Sequence, residues 1–169
     1  MNATTPGAVR AGDTDPATDP QASPLVRRLV ADKGARWVHS GNHDHFVAGA
    51  GDHVLFFSGD AVRFPESLDV AVVLPELQSA LALARAGGAP FAVGAVVRRD
   101  EDAIARRWGV QRWPSLVFLR DGRYVGELAG MHDWDDYVRQ VAALLHRRPG
   151  RAPTVGIPVV AAVAARGGC

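Results

Sequence analysis

Few side chains in this chain carry strongly reactive chemistry. There is one cysteine, Cys169, at the last position. Thiol–disulfide exchange needs an attacking thiolate and a resolving partner, so a lone thiol cannot run an internal dithiol cycle or build a disulfide framework. Histidines cluster at His39, His43, His45 and His53. His43 and His45 with a third histidine are a candidate zinc or nickel ligand set. However, residues two apart on a helix point away from each other, and no cysteine or dedicated carboxylate completes a tetrahedral site. The plainer expectation is exposed loop histidines. A third group is the stretch Asp60, Arg63, Phe64, Pro65, Glu66 and Asp69. Its carboxylates suit bidentate pairing with arginines of a partner, which fixes orientation as well as charge. The plainer reading is a solvated loop with one acid capping the next helix, and Arg63 partly neutralises the group in either case. Ser/His/Asp nucleophile signatures, phosphate-cradling glycine loops and paired catalytic acids are missing.

The elements that must position these residues can be read from periodicity. Residues 1–22 are rich in Thr, Asp, Ala and Pro and are expected to be a disordered tail. They lack the apolar core of a secretory signal. Ser23-Pro24 reads as a helix cap followed by proline in the first turn, and the stripe Leu25, Val26, Leu29, Val30 ends at Gly34. Arg36–His39 is a short strand, and Asn42 begins a small helix with Phe46 and Val47. His53–Ser58 is a buried strand, followed by an irregular stretch Ala61–Val70 and a helix through Leu74, Leu77, Leu81 and Ala84. Phe91–Val97 is an apolar central strand. Asp100 is expected to cap a helix with Ile104 and Trp108 on one face. Two strands flank the hairpin turn Asp121-Gly122, and a last helix from Asp133 carries Trp134, Tyr137, Val138, Val141 and Leu145. Trp37, Trp108 and Trp134 are read as core.

The order α-β-α-β-α-β-α-β-β-α predicts an α/β fold, a three-layer sandwich around a mixed sheet that ends in a hairpin and a helix. The domain spans 23–146, and 147–169 is expected to be a flexible tail holding Arg147, Arg148, Arg151 and Arg166. The chain is 47% apolar with a formal charge of +1. That balance supports a packed core and calls for neither nucleic acid nor an anionic membrane. Val155–Ala165 is too short to span a bilayer. A cytoplasmic protein without stable membrane insertion is expected.

The run Trp108-Gly109-Val110-Gln111-Arg112-Trp113-Pro114-Ser115-Leu116-Val117-Phe118, with Asp121-Gly122 and Gly130 after it, resembles the thioredoxin stretch leading into its C-terminal hairpin. The resemblance implies a cis peptide bond before Pro114, facing the stretch after Phe57-Ser58-Gly59 where thioredoxins keep their redox cysteines. Here that stretch is Asp60–Glu66, with no thiol. Leu55 stands where thioredoxins keep a buried acid. Leu55-Phe56-Phe57-Ser58-Gly59-Asp60, Arg63, Pro65-Glu66 and Gly130-Met131-His132-Asp133-Trp134 further resemble the HyaE/HupG family of hydrogenase maturation proteins, over about residues 24–146.

This resemblance implies a non-catalytic chaperone with no cofactor. Its partner would be the small subunit of a nickel–iron hydrogenase, bound through the twin-arginine signal peptide before export, with other hydrogenase accessory proteins as further partners. The peptide groove expected on this basis comprises Asp60, Arg63, Phe64, Pro65, Glu66, Asp69, Trp113 and Pro114. Trp113 is either an exposed apolar platform or packing beneath the loop Ala61–Pro65. The rival functions are a thiol oxidoreductase using Cys169 and a histidine-based nickel or zinc carrier.

Overall fold

The computed structural model describes residues 19–85 and 89–153. Cys169 and Val155–Ala165 lie outside them. The elements are α1 (Pro24–Lys33), β1 (Arg36–Val38), α2 (His43–Val47), β2 (Asp52–Phe57), α3 (Glu66–Arg85), β3 (Ala92–Val96), α4 (Arg98–Trp108), β4 (Ser115–Arg120), β5 (Arg123–Ala129) and α5 (Trp134–His146). Their order is the one expected from the sequence.

Local chemistry accounts for several boundaries. The Ser23 hydroxyl accepts the Val26 N–H at 3.3 Å, and Gly34 closes α1 at φ 75°. Asp121 and Gly122 both have positive φ, 49° and 75°, as a tight turn matching the strand twist requires. Asp100 does not cap α4. The helix begins one turn earlier, after Val97, and the Asp100 carboxylate accepts the Ser40 N–H at 2.8 Å. The stretch after β2 is also less irregular than expected, because α3 already starts at Glu66.

The sheet order is β1-β3-β2-β4-β5. β1, β3 and β2 are parallel, β4 is antiparallel to β2, and β5 is antiparallel to β4. β2 and β5 therefore point the same way, and α3, α4 and α5 all start at one pole of the molecule. Side chains alternate across β2. Val54 and Phe56 join the core beneath α1, α3 and α5, while Leu55 and Phe57 join the core beneath α2 and α4.

Packing begins before α1 and continues past α5. Ala22 is buried, and the Asp19 carboxylate accepts the Arg98 N–H at 2.7 Å. The Gly150 N–H reaches the Tyr124 carbonyl at 2.6 Å. At Gly109, φ 75°, a side chain would meet the Pro153 carbonyl, so this close approach depends on glycine. No helix among the described residues is long and apolar enough to cross a membrane.

Candidate functional site

The loop after β2 folds on its own hydrogen bonds. The Asp60 carboxylate accepts the N–H groups of Val62 (2.8 Å) and Arg63 (3.2 Å), and the Asp60 carbonyl accepts that of Phe64 (2.8 Å). This is an aspartate-closed turn, and the two carboxylate bonds hold the Asp60 carboxyl below the usual range. Asp60 therefore organises its own loop and does not cap α3. Its outer face is exposed, as are Arg63, Pro65, Glu66 and Asp69. Glu66 and Asp69 lie in the first turn of α3, where negative charge complements the helix dipole.

Trp113 crosses this loop. Its ring stacks on Phe64 with centroids 6.2 Å apart and planes 28° from parallel, and the Arg63 guanidinium lies 5.5 Å from the Phe64 centroid. Gly59 is the floor beneath both rings. At φ 68°, any side chain there would sit 2.6 Å from Phe64 and 3.0 Å from Trp113. The Trp113–Pro114 peptide bond is cis. Trp113 is partly buried, so it packs against the loop while keeping an outer edge, and its indole N–H is enclosed without a partner among the described residues. The structure thus joins Asp60, Arg63, Phe64 and Trp113 in one edge, with Glu66 and Asp69 following on α3, whereas Pro114, expected in the same groove, is buried.

A carboxylate that the sequence reading missed lies behind this edge. Glu101, fully buried on α4, accepts the Gly59 N–H at 2.9 Å and pairs with Arg98. Leu55 is apolar and enclosed, so the buried acid at this pole comes from a helix and not from β2. The only sequence signal was an acid in the first turn of α4, which dipole complementarity explains equally well.

The histidines do not converge on a metal. His43 is buried, not exposed, and its Nε2 accepts the Trp108 indole N–H at 2.8 Å. Because an indole only donates, the His43 proton sits on Nδ1, 3.0 Å from the Asp44 carboxylate. Burial pushes the His43 pKa below the usual value, against the opposing pull of Asp44. His53 is buried too, with Nδ1 donating to the Gly51 carbonyl at 3.2 Å and its ring edge-on to Phe46. No three histidine, cysteine or acidic residues among those described could hold a metal ion together. A cleft of about 800 Å³ lies at the opposite pole beside His45, His53, Phe46 and Phe91.

The sequence profile of the family described as hydrogenase-1 expression protein HyaE matches residues 25–137. The chain belongs to the HyaE family. The hydrogenase expression/formation protein HoxO of Cupriavidus necator is 51% identical over 154 residues, covering 91% of this chain and 92% of that protein. The HupG protein of Bradyrhizobium diazoefficiens is 36% identical over 131 residues, covering 75% and 84%. A thioredoxin from Halobacterium salinarum superposes with a TM-score of 0.51 at 21% identity, over 68% of this chain and 94% of the thioredoxin. That likeness concerns the fold.

The segment Gly130–Trp134 adjoins the Trp113 edge. The Gly130 N–H reaches the Pro114 carbonyl at 2.7 Å. Tyr137 anchors the segment from below, with its hydroxyl donating to the Gly130 carbonyl at 3.1 Å and burial raising the phenol to about 12. Trp134 is not a core residue: it is 44% exposed. It stands in the first turn of α5, ahead of the buried stripe Tyr137, Val141, Leu144 and Leu145, where no described residue covers its outer side. Met131 (42%) and the loop-tip Val62 (92%) are exposed as well, and the sequence reading named neither as a site residue.

Proposed function

We propose that this HyaE-family chain is a non-catalytic chaperone of nickel–iron hydrogenase maturation. It binds the small subunit through its twin-arginine signal peptide, in the cytoplasm and before export. Membership of a family described by hydrogenase expression supports the maturation role. The observation that carries the binding role is the Phe64–Trp113 stack. At the position where the thioredoxin fold performs redox chemistry, this chain has no thiol and presents a rigid aromatic edge bordered by Asp60, Glu66 and Asp69. Thioredoxin-like domains receive extended chains at this edge, a strand-like mode of recognition. Arginines of the peptide pair with the carboxylates, and its apolar part rests on Phe64 and Trp113 beside Pro65.

The test is capture of purified hydrogenase small subunit by the full chain, with and without the signal peptide. Strong capture of the precursor and at least tenfold weaker capture of the mature subunit supports this function. Equal capture of both moves the contact to the folded subunit. Acceleration of insulin reduction by dithiothreitol in the presence of the chain would restore the oxidoreductase reading.

A further inference from the structure

The edge built by the loop and Trp113 does not end at Trp113. Two large apolar side chains, Met131 and Trp134, stand half out of the surface where β5 passes into α5. Nothing in the helix start requires them. Acids in the first turns of α3 and α5 complement the helix dipoles and would be favourable in any helix. An exposed tryptophan adds nothing to a helix start, and large aromatics in partly covered positions are the usual anchors of protein interfaces.

The position of the pair is set by the site. The hydrogen bond between Gly130 and Pro114 makes Met131 the next residue beyond the Trp113 edge. Its sulfur lies 3.8 Å from the Tyr137 hydroxyl, which fixes the segment to the core. The surrounding charge selects the occupant. Asp133 and Asp135 beside Trp134, and Glu66 and Asp69 on α3, make no ion pair among the described residues, whereas Asp136 is taken by Arg139. The exposed Arg63 and Arg112 on the loop side offset part of this charge, but the acids outnumber them, so a chain that is basic and apolar is favoured over an acidic one.

We infer that Met131 and Trp134 form a second apolar subsite for an extended peptide with adjacent arginines followed by an apolar stretch. The peptide lies first on Phe64 and Trp113 and ends on Trp134. The inference rests on the peptide-binding reading above and adds a length requirement: only a peptide with a long apolar stretch reaches Trp134.

Calorimetric titration of the full chain with two synthetic peptides tests this. Both carry the adjacent arginines, and one has its apolar stretch cut to a few residues. Trp134→Ala is expected to raise the Kd of the long peptide about tenfold and to leave the short one within about twofold. Met131→Ser acts in the same direction, more weakly. Trp113→Ala weakens both peptides. In the unmutated protein the Trp134 indole N–H resonance moves with the long peptide only, a readout that does not depend on any variant folding. If Trp134→Ala and its resonance ignore the long peptide while Trp113→Ala weakens both, the subsite is wrong and the Trp113 edge stands. If Trp113→Ala is silent and Trp134→Ala is not, the edge is wrong and the subsite stands. Failure of both peptides to bind the unmutated chain overturns both.

Discussion

His43 and Trp113 each hold a ring nitrogen away from bulk water, in two segments that both attract attention in the sequence. The His43 Nε2 receives the Trp108 indole N–H, its Nδ1 faces Asp44, and Asp44 is held in turn by Arg107 at 2.6 Å. Both ring nitrogens of His43 and the Trp108 indole N–H are answered from within the chain. The Trp113 indole N–H is enclosed with no partner among the described residues, its ring stacks on Phe64, and Val62, Asp60, Glu66 and Asp69 of the same loop and helix start are exposed. An enclosed unpaired donor costs a fold on the order of 1–3 kcal/mol. The histidine segment is finished as part of the fold, whereas the loop is a surface whose groups are left for another molecule. Density of functional side chains was similar in the two segments, and internal pairing is what separates them.

The largest effect expected is at the brace beneath the loop. Glu101→Ala removes the acceptor of the Gly59 N–H and leaves Arg98 without its partner. Loss of one member of a buried pair costs about 3–5 kcal/mol, tempered here because Arg98 is partly exposed. Urea unfolding should show a loss of about 3 kcal/mol. Glu101→Gln, which keeps an acceptor for Gly59, should recover part of it. Equal stability of all three proteins would mean that the loop is not braced from α4.

Next in size is His43→Ala, which deletes a buried ring and strands the Trp108 donor. A loss of about 2 kcal/mol is expected from those two causes. The pH dependence has a fixed sign. Burial lowers the pKa of His43 in the folded state, so the unfolded chain takes up a proton first as pH falls. The contribution of His43 is complete above the ordinary histidine value near about 6.5 and declines from there toward the lowered folded value. Thermal melts between pH 7.5 and 5 should show a steeper decline for the unmutated chain than for His43→Gln. Parallel curves would contradict the neutral, Trp108-bonded histidine.

Trp113→Ala reverses this pattern. It should cost the fold some stability, because the half-buried ring packs against the core beneath α4, but its larger effect should be to weaken the arginine-bearing peptide more than tenfold, as expected for a central aromatic anchor. Replacing Asp60, Glu66 and Asp69 together by their amides should mainly slow association and flatten its salt dependence, as stopped-flow mixing would record. If His43→Ala impairs binding as strongly as Trp113→Ala in a folded protein, the distinction between the two segments collapses.

The sheet and its helices were legible because the information lay along the chain. Apolar runs at Phe56-Phe57 and Phe91–Val97 marked buried strands, and Asp121-Gly122 marked the hairpin. Where the reading departed from the structure, the deciding partner was distant in sequence. Asp100 looked like a cap until Ser40 supplied its donor, and His43 looked exposed until Trp108 covered it. Glu101 gave no sign of its bond to Gly59, forty-two positions away. Trp134 fits the helical stripe, but periodicity cannot tell where the layer above that stripe ends.

The smallest effects concern two exposed aspartates, one in each segment. Asp44 and Asp60 both have a carboxyl held below the usual range, Asp44 first by its bond from His43 and then by Arg107, Asp60 first by the Val62 N–H and then by that of Arg63. A shared direction of shift does not imply a shared role. Asp44→Asn keeps an oxygen for His43 and loses only a solvent-exposed ion pair, the kind that contributes little. It should leave both the melt and peptide binding as they are. Asp60→Asn likewise keeps the oxygen that closes the loop, so the loop should retain its shape and the melt its midpoint. The lost charge, however, faces the incoming peptide. Association at low ionic strength should slow by about twofold, and the difference should vanish near 0.5 M salt, where screening acts over about 4 Å. Stopped-flow traces of the two variants at both ionic strengths decide the matter. A slowing by Asp44→Asn that equals that of Asp60→Asn would show that the peptide senses only overall charge and that the loop has no privileged part in its capture.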